Sequence, residues 1–309
     1  MSKQFTPVLA FTWLTALTLL FSGCNQDARE ATTSVLDYVD PFIGTDFHGH
    51  TFPGAALPSG MVQLSPDTRT LGWDACAGYH YSDSSILGFS HTHLSGTGIG
   101  DYGDILFMPF TGSVSLDAGK AEQPDSGYRS RFSRDSETAI PGYYTVTLSD
   151  YNIDAELTAT RRAGVHRYTY PESEEAGILI DLTHTIHGHA NPLHEIKILN
   201  EREIQGLKVT RGWAKNHYVY FTAKFSKPFE AEIYVNNEKK EGIKEFSGKN
   251  IKVKLNFSTD QGEELLAKVG ISGVGYQGSI SNLNLEVNGW DFDYVKEQAA
   301  REWEKQLSD

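Results

Sequence analysis

Cysteine is nearly absent, two residues in 309, Cys24 and Cys76. So few cannot staple a small scaffold, so stability must come from a core, which a chain of this length can supply. Basic residues are also short: 27 Lys and Arg stand against 40 Asp and Glu, a net charge of −13. That balance disfavours nucleic acid and anionic membrane surfaces as partners and is compatible with a neutral substrate such as a sugar. Internal repeats and low-complexity segments are missing. Helical periodicity is missing too, until Trp290.

One long apolar run exists, at the N-terminus. Lys3 is the only charge before Phe5–Phe21, and the run closes on Ser22-Gly23-Cys24. A short positive start, an apolar stretch of this length and small residues before a Cys read as a secretory signal rather than a spanning helix. The Gly-Cys junction points to a lipoprotein signal over residues 1–23, with Cys24 the lipidated first residue of the mature chain. The alternative is an ordinary cleaved signal. Residues 24–34 then form a polar tether, and the anchored protein faces the periplasm or the outer-membrane surface. The folded body keeps only Cys76 and holds no internal disulfide.

From Val35 the signals are those of strands. YYTVTL (143–148), AELTAT (155–160), GILIDL (177–182), YVYFTAKF (218–225) and NIKVKLNF (250–257) are rich in β-branched and aromatic residues. Ile251, Val253, Leu255 and Phe257 alternate with Lys252, Lys254 and Asn256, one face for a core and one for water. Many strands without intervening helices predict an all-β fold, a large antiparallel β-sandwich over residues 35–288. The Lys-rich stretch 236–246 reads as a solvated hairpin. At 289–309 the pattern changes: Phe292, Val295, Ala299 and Trp303 follow helical spacing, with Asp291 or Asn288 as a possible cap. This stripe is expected to stand unpaired, as the start of an α-helical linker cut short.

The densest block runs from Asp40 to Pro109: VDPFIGT (39–45), HGHTFPGA (48–55), PSGMVQLSPDT (58–68), GWDACAGYHYSD (72–83) and GFSHTHLSGTGIGDYGDILFMP (88–109). Glycine, proline, histidine and aromatics alternate here more tightly than a core requires, the composition of loops built into a site. These blocks closely resemble the N-terminal domain of glycoside hydrolase family 92. AELTATRRAGVHRY (155–168), GWAKNHYVYF (212–221) and WDFDYVKEQAAREWEKQL (290–307) extend the likeness over nearly all of the mature chain. The resemblance implies a calcium-dependent, inverting exo-α-mannosidase that trims high-mannose N-glycans or mannans. Its N-terminal sandwich is joined by a helical linker to an (α/α)6 catalytic barrel. The barrel, with the family's acid, base and calcium ligands, is absent from these 309 residues, so no catalytic residue, metal ligand or cofactor is carried onto them. The implied partners are a mannose-containing glycan, the chain's own catalytic domain, and the membrane through the lipid.

By the same resemblance Trp73 is the leading substrate-binding residue, stacking near the leaving-group sugar of α-1,2-linked substrates. An indole face covers the CH side of a pyranose. Composition alone would favour a core Trp, and the motif context reverses that. His50, Phe52 and Gly54 form a loop that can reach sugar hydroxyls, against loop-fixing histidines as the plain reading. His91 and His93 are expected to make structural bonds, Asp101 and Asp104 to bond loops, and Asp67 to sit in a turn. Cys76 lacks the neighbours of a nucleophile. His184, His187, His189 and His194 invite a zinc reading, but no cysteine or carboxylate stands at a familiar spacing. The rival functions are a non-catalytic glycan-binding surface lipoprotein and a zinc-dependent periplasmic protein.

Overall fold

A computed structural model describes Met1, Lys3 and Ser34–Asp309; the signal, Cys24 and the tether up to Thr33 lie outside the described residues. The body is a sandwich of two large antiparallel sheets. One carries eight strands, with Leu106–Thr111, Ser173–Asp181 and Ile251–Thr259 side by side at its centre. The other carries nine, with His217–Phe225, Glu263–Ser272, Ala163–Tyr170 and Ile153–Ala159 in sequence. The strand over Tyr143–Leu148 coincides with the YYTVTL run. Ile251, Val253 and Leu255 are fully buried between the sheets, as their alternation requires. The lysine-rich stretch begins as a hairpin whose turn residues Asn236 and Asn237 take positive φ, which asparagine tolerates.

The sequence reading places no helix before the last one, yet Tyr276–Glu286 forms one, α1. Its Ser and Asn residues are weak helix formers, so local pattern did not announce it. Tertiary packing carries it. A Cβ at Gly270 would meet Ser279 O at 2.5 Å, so glycine there lets α1 lie directly on the nine-stranded sheet. Leu283 then buries completely, and Ser279 bonds Thr222 across the gap at 2.8 Å.

The second helix, α2, spans Phe292–Ser308 and is capped by Asp291, whose Oδ1 accepts from Tyr294 N at 2.9 Å. The expected unpaired stripe is a correction. Phe292, Val295 and Ala299 are buried against the sandwich, with Tyr143, Val165 and Leu283. Ala299 faces Gly142, where a side chain would collide with it, and Trp303 donates Nε1–H to Ala56 O at 2.6 Å. The stripe exists because it has a surface of its own to cover, and it is no argument for a missing partner.

Candidate functional site

The loops at one edge of the sandwich converge on the indole of Trp73. Trp73 opens a short 3-10 turn, Trp73–Ala75, after Gly72 at φ +94°. Its ring rests over Gly98, where an added Cβ would lie 2.8 Å from the indole edge, so the glycine makes the seat. His50 meets the same ring edge-on, centroids 5.0 Å apart. Trp73 remains 58 % exposed, which removes the core reading left open by composition. Leu71, Ile99 and Trp213 are exposed on the neighbouring loops. Trp213 is held there by Asp101, whose Oδ2 accepts its backbone N–H at 2.7 Å while Oδ1 accepts from Tyr102 N. Asp101 is thus the loop-bonding carboxylate expected of it.

The His-rich stretch turns out to be a clamp on these loops. His187 Nε2 donates to Gly72 O at 2.9 Å, and its own N–H bonds Thr70 O at 2.7 Å, fixing the chain just before Trp73. His189 Nε2 donates to Gly100 O at 2.7 Å, fixing the loop that carries Gly98. His184 points inward to Asp67, and His194 is buried elsewhere. The four do not gather, which removes the geometric basis for a zinc site among them. Backbone strain collects in the same region: Phe47, His50, Tyr102, Ile105 and His187 all have positive φ, uncommon away from glycine and costly for Phe47, Tyr102 and the β-branched Ile105.

Asp67 is a second correction. It ends the strand Gln63–Asp67, completely buried, rather than sitting in a turn. Burial alone would push its carboxyl up, but His93 (2.9 Å) and His184 (2.8 Å) outweigh that and hold it well below the usual range. His93 also bonds Gln63 O, and His91 bonds Ile105 O at 2.7 Å, so both serve the structure. Asp104 is buried too, paired with Lys208 Nζ at 3.1 Å and His217 at 3.2 Å. These charges hold it low against the opposing effect of burial. Beside it lies a 460 Å³ cleft walled by Gln63, Thr92, Tyr102 and His217. Burial pushes the Cys76 thiol up, and its Sγ lies 3.1 Å from Trp73 O, so it is a packed residue and not a nucleophile.

Of the four substrate-binding candidates, direct contact unites only Trp73 and His50. Phe52 is half-buried on His93, centroids 5.4 Å apart. Gly54 lies against the strand Gln63–Asp67, where a Cβ would meet Leu64 O at 2.3 Å, which gives its missing side chain a packing reason. Sequence reasoning passed over Asp74. It follows Trp73 and hydrogen-bonds His48 Nδ1 at 2.5 Å, a contact that keeps its carboxyl below the ordinary value. Only the adjoining tryptophan marked it.

Residues 38–272 match the glycosyl hydrolase family 92 N-terminal domain. The chain belongs to glycosyl hydrolase family 92. Within it, a family GH92 α-mannosidase of Bacteroides thetaiotaomicron, solved in complex with mannoimidazole, is 41 % identical. It superposes with a TM-score of 0.86 over 89 % of this chain and 37 % of its own. A family GH92 inverting mannosidase of the same organism is 28 % identical, TM-score 0.75, over 89 % of this chain and 36 % of its own. An uncharacterized secreted glycosidase of Arthroderma benhamiae is 28 % identical over 96 % of this chain and 41 % of its own length. The chain thus spans about two fifths of the length of these family 92 relatives.

Proposed function

We propose that this chain supplies one wall of the glycan pocket of an inverting, calcium-dependent exo-α-mannosidase acting on α-1,2-linked mannose in high-mannose N-glycans or mannans. The observation that carries the reading is Trp73, an exposed indole held in a ring of strained, clamped loops, in a chain 41 % identical to an α-mannosidase solved with mannoimidazole. Binding sites that must keep a platform in one orientation are built this way.

Inversion needs one carboxylic acid to protonate the leaving oxygen and a second carboxylate to activate a water across the ring. The carboxylates near Trp73 are otherwise engaged. Asp74 is tied to His48, Asp101 to two backbone N–H groups, and Asp104 to Lys208 and His217. The acid and base therefore come from a separate catalytic domain, and the chain binds without cleaving. Calcium takes six to eight oxygen ligands. The cluster of three potential ligands found among the described residues is two imidazoles and one carboxylate, which does not fit it. Calcium in the assembled enzyme then belongs with the catalytic domain, and no step on this chain runs through it.

The purified chain, supplied with calcium, is expected to release no mannose from α-1,2-mannobiose. Release that scales with protein concentration and disappears in a Trp73→Ala variant would place the acid and base within these residues and sink this division of labour. The same reading has the protein anchored through a lipid on Cys24. Mass spectrometry of the mature N-terminus should find a diacylglyceryl adduct there, and an unmodified start at another residue refutes the anchor.

A further inference from the structure

His48, His50 and Asp74 come from two loops and bring their ligand atoms within 4.8 Å of one another. His48 Nδ1 stands 2.5 Å and His50 Nε2 3.7 Å from Asp74 Oδ1. Tetrahedral zinc with bonds near 2.0–2.1 Å sets its ligand atoms about 3.3 Å apart, so shifts of about an ångström convert this cluster into a coordination shell. The part that must move is free to do so: the His48 side chain is largely exposed.

The second observation is His50 itself. Its side chain is only 4 % exposed, and Nε2 is buried with no hydrogen-bond partner, aimed at the Asp74 carboxylate. A buried polar nitrogen left unmatched costs roughly 1–3 kcal/mol, and structures keep such atoms where something else completes them. The backbone that holds it is built with unusual constraint. His50 sits at φ +55°. Gly49 beside it has no room for a Cβ, which would lie 2.1 Å from Gly44 O, and His50 O is bound by Gly96 N at 2.7 Å.

We propose that His48, His50 and Asp74 bind a divalent transition metal, zinc by preference, at the rim beside Trp73. Two imidazoles and one carboxylate suit zinc rather than the oxygen-seeking calcium. Three protein ligands leave a fourth position open, and the exposure of His48 turns that position to solvent. The proposal stands on ligand geometry alone and is independent of which glycan the protein binds.

The test is a Zn2+ titration of the chelator-stripped full chain at neutral pH, in competition with a chromogenic chelator. One Zn2+ per chain is expected, and His48→Gln and Asp74→Asn should each weaken it by at least about tenfold. Glu241→Gln, an exposed carboxylate in the Lys-rich stretch 236–246, should leave affinity unchanged. Co2+ bound to the same chain should show tetrahedral visible absorption that Asp74→Asn removes. Because His48 and Asp74 lie near the surface, thermal midpoints of their variants should stay at the parent value, which separates lost ligation from lost folding. Absence of saturable binding overturns the site. So does binding that survives both variants, or binding lost in Glu241→Gln.

Discussion

Acidification from pH 7 is expected to unfold this sandwich by about pH 4–5. Three buried imidazoles drive the loss. His91 is pushed down to about 4 by burial, despite its bond to Ile105 O. His194 is also pushed to about 4, by burial and then by the Lys208 charge. His166 lies well below its ordinary value through burial and the neighbouring His91. The geometry explains why two of them resist protons. Tyr168 O–H donates to His166 Nδ1 (2.8 Å), His166 Nε2–H donates to His91 Nε2 (3.0 Å), and His91 Nδ1–H donates to Ile105 O (2.7 Å). Every nitrogen is used once, with both rings neutral. A proton added to His91 Nε2 would face the N–H of His166.

The sign follows from linkage. In the unfolded chain these histidines take protons near 6.5, while in the fold His91 and His194 refuse them until about 4 and His166 stays well below its ordinary value. Between those values the unfolded state binds more protons, so stability falls as pH falls. Each group contributes up to roughly 1.4 kcal/mol per pH unit where the two states differ by a full proton. Across the roughly 2.5 units between 6.5 and 4, His91 and His194 alone take away about 7 kcal/mol, comparable with a domain stability of about 5–15 kcal/mol. Asp67 and Asp104, both held low, carry the loss further once pH drops below the ordinary carboxylate range. His217 works the other way. Burial opposes its charge, but Asp104 prevails and raises its pKa, so acid favours the fold there, one group against three. Thermal midpoints measured every half unit from pH 7.5 to 4 should fall steadily below about 6.5. A flat profile to pH 4 would mean that these rings accept protons in place, contrary to the buried relay.

That relay shows where sequence reading reached and where it stopped. The strands were legible because alternation is local: Ile251, Val253 and Leu255 declare a buried face by themselves. Helix α2 was legible for the same reason, and its Asp291 cap with it. What the stripe Phe292–Val295–Ala299 packs on was not, since its partners Tyr143, Gly142 and Val165 lie about 130–150 residues earlier. Helix α1 escaped entirely because a glycine in another strand, Gly270, makes room for it. At the site, motif density from Asp40 to Pro109 found the loops, and the resemblance singled out Trp73. The histidines were harder. Spacing could not tell that His187 and His189 clamp backbone carbonyls, that His166 completes a chain with His91, or that His48, His50 and Asp74 meet. A side chain able to donate, accept, ligate or titrate is defined by its neighbours, and those are set by tertiary contacts.

In an enzyme completed by its catalytic domain, Trp73→Ala is expected to leave the thermal midpoint unchanged and cut kcat/KM on an α-1,2-linked disaccharide roughly tenfold or more. The stability half of that expectation rests on exposure. A buried Trp truncated to Ala costs about 3–5 kcal/mol, but Trp73 is 58 % exposed and lies on loops that His187, His189 and Asp101 hold by backbone bonds independent of the indole. The kinetic half rests on what the ring offers. Its seat over Gly98 and its edge contact with His50 fix its orientation, so a sugar docking on it gains stacking without ordering the protein first. Loss of about 1–2 kcal/mol of such contact gives the tenfold figure. Where the stacked sugar is the leaving group, the contact persists into the transition state, so kcat should fall along with the rise in KM. Trp73→Phe should recover part of the loss, since a smaller ring still offers a face. A midpoint lowered by several degrees would return Trp73 to the core. Parent-like kinetics at an unchanged midpoint would leave it merely exposed and move the sugar elsewhere on this edge, toward Trp213, itself 71 % exposed and tied to the same loop by Asp101.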